Sequence, residues 1–79
     1  MEKKMTIKLF GIFAEKIGSR QIDIPFCNDL ETLTQYFSKA YPDLNQFQFA
    51  VAVNREIVHQ NCLLKNEDEI ALLPPFSGG

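Results

Sequence analysis

Ile70-Ala71-Leu72-Leu73-Pro74-Pro75 is the stretch on which the reading of this chain turns. Four consecutive apolar residues leave no polar face, so the run reads as a strand covered on both sides, at the centre of a sheet. Two prolines directly after it remove two backbone donors, and the ladder stops at Leu73. A central strand needs neighbours. Ile7 and Leu9 alternate with Thr6 and Lys8, which makes a strand with one buried face, closed by Phe10-Gly11 and placed beside the last strand.

Working outward, Phe13 and Ile17 stand four apart, the spacing of a single helical turn, and Gly18 ends it. Arg20 to Ile24 alternates again, with Ile22 and Ile24 inward, and Pro25 terminates this second strand. The two strands form a hairpin with a wide loop. Leu30, Leu33, Tyr36, Phe37, Ala40 and Tyr41 fall at i, i+3, i+6, i+7, i+10 and i+11, the apolar stripe of an amphipathic helix. Its start is capped either by Asn28 boxed with Glu31 or by Asp29, and Pro42 stops it after Tyr41. Phe47, Phe49, Val51 and Val53 alternate with Gln48 and two alanines, a strand covered on both faces whose phenylalanines belong to the core. Asn54-Arg55-Glu56 reads as a turn, Ile57-Val58-His59 as a short strand, and 66–69 as a charged turn before the last strand. A hairpin, a helix and further strands put the helix across one face of a mixed sheet. The expected fold class is α+β, a ubiquitin-like β-grasp crossed by one main helix and ending in a flexible C-terminal Gly-Gly tail. Residues 1–73 form the domain and 74–79 the tail.

With 79 residues there is room for one small domain and a modest core. Hydrophobic residues at 46% and a net charge of only −2 argue against disorder. The same charge, without a basic stripe, speaks against nucleic-acid binding, which depends on Lys and Arg neutralising phosphates. No apolar run spans a bilayer, and no apolar segment follows Met1-Glu2-Lys3-Lys4, so neither a membrane anchor nor a signal peptide is expected and the chain reads as cytoplasmic. Two cysteines, Cys27 and Cys62, do not make a disulfide scaffold or a metal knuckle, and read as small packing residues. The single His59 cannot build a histidine metal site and reads as structural. No phosphate-binding loop is present, so the chain is expected to bind no cofactor and no metal itself.

Pro74-Pro75-Phe76-Ser77-Gly78-Gly79 carries the chemistry. Prolines favour an extended, stiff segment that stands away from the domain. Phe76 is an apolar anchor, and Gly78-Gly79 is bare backbone that enters a channel too narrow for any Cβ. The reactive group so delivered is the α-carboxylate of Gly79, inert until another enzyme activates it. On composition alone the same six residues also read as a frayed terminus.

This ending looks like that of the MoaD-type small subunit of molybdopterin synthase, within the ubiquitin-like sulfur-carrier family. Phe10-Gly11, Glu15 to Gly18, Val51-Ala52-Val53-Asn54 and Asp68-Glu69-Ile70-Ala71-Leu72-Leu73 resemble the family's first strand and turn, its central strand and turn, and the approach to its last strand. The resemblance implies that an E1-like adenylating enzyme (MoeB-type) uses ATP to form an acyl-adenylate on Gly79, and that sulfur transfer then gives a thiocarboxylate. It implies that the tail enters the large catalytic subunit (MoaE-type) in a heterotetramer, where the sulfur passes to a pterin precursor during molybdenum cofactor biosynthesis. Gly79 is then the reacting residue and Gly78 the channel spacer, Pro74, Pro75 and Phe76 dock the tail, and Ser77 and Gly78 also belong to the partner-binding stretch. On this reading the chain is the sulfur-donating part of a sulfurtransferase and is not catalytic alone. The family usually has glycine in the turn before the last strand where this chain has Glu67; if that turn needs a positive φ, Asn66 is better able to supply it. Two other readings stand beside this one: a sulfur carrier of another pathway, such as thiamine thiazole synthesis or tRNA thiolation, and a β-grasp binding or modifier protein without sulfur chemistry.

Overall fold

A computed structural model of the chain describes residues 3–46 and 48–74. Alternating Met5, Ile7 and Leu9 bury one side of β1 (Lys4–Leu9) and leave Lys4, Thr6 and Lys8 exposed. A short helix α1 (Ile12–Ile17) comes next, ended by Gly18 in the left-handed conformation at φ 83°, and the chain returns as β2 (Gln21–Pro25). These two strands pair antiparallel, Ile7 opposite Ile22 and Met5 opposite Ile24. Then come α2 (Leu30–Ala40), a 3-10 turn (Pro42–Gln46), β3 (Ala50–Val53), β4 (Glu56–Val58) and β5 (Ile70–Leu73). The sheet runs β2-β1-β5-β3-β4. β5 is central: it is parallel to β1, with Ile7 beside Ile70, and antiparallel to β3, with Val51 opposite Leu72. This is the mixed five-stranded sheet crossed by one main helix, α2, of the ubiquitin-like β-grasp, as the sequence predicts.

The core lies between α2 and one sheet face. Leu30, Leu33 and Phe37 of the helix meet Ile7, Leu9, Ile24, Val51, Ile70 and Leu72, all buried. Each such side chain contributes on the order of 1.5–3 kcal/mol by leaving water. Asp29, not Asn28, caps α2, its carboxylate accepting the Thr32 N–H at 2.9 Å. Ala40 is exposed rather than part of the stripe, because the helix ends there and Leu44 of the 3-10 turn fills the core instead. Tyr41 stacks on Phe37 with ring centroids 5.7 Å apart.

Two boundaries differ from the pattern reading. β3 begins at Ala50, so Phe49 precedes the strand, half-buried and edge-on to Phe13 at 6.0 Å; Phe47 lies outside the described residues. β4 takes in Glu56 and leaves His59 out and exposed, because the turn needs only Asn54 and Arg55. Both have positive φ, 52° and 72°, the mirror-image turn whose twist matches that of paired strands. Asn66 and Glu67 have none, so the turn before β5 places no demand for glycine and Glu67 sits there without backbone strain.

Candidate functional site: the exit of the C-terminal tail

Because β1 and β5 are parallel, their C-terminal ends leave the sheet at the same edge. The Phe10 N–H donates to the Leu72 carbonyl at 3.2 Å, extending the ladder one residue past β1. Pro74 comes directly after β5 and is half-buried. Beneath it lies Gly11, at φ 59° and ψ −133°, a conformation that glycine alone visits freely. A Cβ on Gly11 would stand 2.9 Å from Pro74 Cγ, so the missing side chain is the seat of the proline ring. In the sequence, Phe10-Gly11 reads as the close of the first strand and as a family likeness, and nothing there assigns Gly11 to the tail. The signal that points to it is a glycine directly after a strand lying beside the last one.

The start of β5 is fixed by a polar clasp. Asn54 donates its backbone N–H to the Glu69 carbonyl at 2.7 Å. Its side-chain oxygen accepts the Glu69 N–H at 2.9 Å, and its amide donates to Asp68 at 3.0 Å. Asp68 in turn accepts the Lys65 N–H at 2.8 Å. The Asn54 side chain, and then the Lys65 N–H, hold the Asp68 carboxyl below the usual carboxylate range. The clasp fixes the register of β5 and with it the point at which the tail departs. Beside that point an open groove of about 460 Å³ runs between the end of β1, α1 and the start of β2. Leu9, Phe10, Gly11 and Ala14 give it an apolar floor, and Arg20 stands at its rim. Phe10 is 47% exposed there.

Of the residues the sequence singles out, Pro74 is at this exit; Pro75, Phe76, Ser77, Gly78 and Gly79 lie outside the described residues. Cys27 is buried, and desolvation, followed by the charge of Asp29, pushes its thiol up. That is the opposite of what a nucleophilic cysteine needs. Among the described residues no group of three His, Cys, Asp or Glu is placed to hold a metal ion, and no helix is long and apolar enough to cross a membrane.

A β-grasp crossed by one main helix, with Pro74 following directly on the central strand, defines the ubiquitin-like class of domain. The model of the ThiS family matches residues 7–79, and the chain belongs to that family. It is similar to small archaeal modifier protein 1 of Haloferax volcanii, with 30% identity and a TM-score of 0.73, covering 96% of this chain and 99% of that one. It is also similar to a structure of the complex of subunits 1 and 2 of molybdopterin-converting factor from Helicobacter pylori, with 29% identity, a TM-score of 0.69 and the same coverage. Small archaeal modifier protein 1 of Methanosarcina acetivorans shares the fold at 22% identity, with a TM-score of 0.77, 100% of this chain and 99% of that one.

Proposed function

We propose that this chain is the sulfur-carrier small subunit of a cytoplasmic molybdopterin synthase. A MoeB-type enzyme transfers AMP from ATP to the Gly79 carboxylate with release of pyrophosphate, and sulfide-level sulfur from a donor displaces the AMP to leave a thiocarboxylate. The large subunit takes up the tail, the thiocarboxylate sulfur forms a bond to a carbon of the pterin precursor, and water then cleaves the acyl–sulfur bond, leaving the sulfur on the precursor and Gly79 as a carboxylate. Pro74, Pro75, Phe76 and Ser77 engage the partner, and Gly78 passes its narrowest point. A thiocarboxylate sulfur suits this work because it is ionised at neutral pH and strongly nucleophilic. The observation that carries the reading is the family match running through Gly79, together with the double proline and double glycine of 74–79. The likeness to a protein solved in complex with its second subunit supports a partner of that kind.

A second reading, that Gly79 is joined to amino groups of other proteins, draws on the 30% identity to a small archaeal modifier protein. A third keeps the sulfur chemistry in another pathway. Intact-protein mass spectra after incubation with the activating enzyme, ATP and a sulfur donor separate these. A mass gain equal to sulfur replacing one oxygen, lost when Gly79 is deleted, is expected. Its absence with an enzyme active on a control substrate refutes the carrier reading. Transfer of the sulfur to a pterin precursor by the large subunit distinguishes the first pathway from the third.

A further inference from the structure

We propose that the groove beside the tail exit is a docking site for this chain's own C-terminal segment, with the Phe76 ring on the floor formed by Leu9, Phe10 and Ala14. Three observations converge on that occupant. The chain enters the tail at Pro74, whose ring rests on Gly11, itself part of the groove wall. Five residues remain beyond it, a reach of about 17 Å when extended. The Phe10 N–H bonds to Leu72 and the Leu9 N–H to the Arg20 carbonyl at 2.8 Å, so Arg20 stands two strand spacings, roughly 10 Å, from β5. The tail therefore spans the whole groove with length to spare.

Chemistry matches along that path. The floor is apolar where Phe76 arrives, and the exposed ring of Phe10 gains cover from it. The rim carries two cations, Lys8 and Arg20. Lys8 faces Glu69 at 3.4 Å, whereas Arg20 has no ion pair among the described residues and is left to meet the Gly79 carboxylate. The carboxylate contact rests on the proposed function's reading of Gly79 as the working terminus; the Phe76 contact does not. A docked tail keeps the anchor out of water while the chain is alone, and a partner must draw it out before use.

Solution NMR on the full chain tests this. In dilute labelled protein, cross-relaxation between the Phe76 ring and the Ala14 methyl is expected, and F76A should abolish it and shift the amides of residues 8–11, 14, 20 and 21 while those of α2 stay in place. R20Q should shift the Gly79 resonance and preserve the Phe76 contact; if it leaves Gly79 unmoved while the ring contact persists, the carboxylate half of the proposal fails. Groove amides that are identical in the full chain and in F76A overturn the proposal. Contacts that survive between labelled and unlabelled chains assign the groove to a second copy, and groove shifts that arise only on adding the large subunit assign it to the partner; either result overturns self-docking. None of these readouts involves sulfur, so the carrier reading and this one fail separately.

Discussion

Replacing Gly11 by alanine probes the seat of the tail directly. Two costs combine. Alanine at φ 59° and ψ −133° is strained by about 1–3 kcal/mol. The new methyl also meets Pro74 Cγ at 2.9 Å, closer than carbon atoms pack, and a proline ring yields only by moving its own backbone. Overpacking of this kind costs on the order of 1 kcal/mol or more. A total of about 2–4 kcal/mol lowers the melting temperature of a domain this size by roughly 10–30 °C. Gly18 supplies the control: it too has positive φ, at 83°, with nothing within 4 Å of a Cβ, so G18A carries only the left-handed penalty of about 1–2 kcal/mol. Thermal and urea unfolding of G11A, P74A and the double variant then isolate the contact. With the ring removed, G11A should recover its steric share, a coupling on the order of 1 kcal/mol. If the two changes add without coupling, Pro74 does not rest on Gly11 and the account of the tail exit is wrong.

Removing the ring of Phe37, buried between α2 and the sheet, should cost about 3–5 kcal/mol as F37A, read as a lower urea midpoint; a loss under about 1 kcal/mol contradicts the packing described. Asp29 and Asp68 both have carboxyls held low, Asp29 by hydrogen bonds from Thr32 and then Asn61, Asp68 by Asn54 and then Lys65. Their folded pKa lies below the unfolded value of about 3.9, so the stability they add is present above about pH 4 and is lost as pH falls through the folded pKa. Urea titrations down the acid limb should show D29N and D68N losing less stability on acidification than the parent, and equal slopes contradict the assignment. Thiol alkylation should label half-buried Cys62 first and buried Cys27 only as the domain opens, and equal rates rule out the burial of Cys27.

The central strand was readable because Ile70 to Leu73 offers no polar face and two prolines mark its end, and α2 because its stripe repeats at the helical period. The edges of β4 were not, since the usual mark of a two-residue mirror-image turn is a glycine in second place and here Arg55 takes the positive φ. The extra turn around Leu44 was hidden for a related reason: Pro42 signals the stop of a helix but carries no mark of the 3-10 turn that it opens. At the site, the tail stood out through its resemblance to the family's ending, since composition alone also allows a frayed terminus. Its seat did not, because the fit of Pro74 onto Gly11 joins two ends of the chain that only the parallel pairing of β1 with β5 brings together.

That pairing also decides how the domain bears load. A tail drawn into another protein is pulled from Leu73, and the pull runs along the axis of β5, between β1 on one side and β3 on the other. Force in that direction shears both ladders at once instead of unzipping one bond after another, and the Asn54 clasp anchors the far end of the strand. The point of departure is therefore tied to a strand paired on both sides, and a pull on it loads two ladders before the body can unravel.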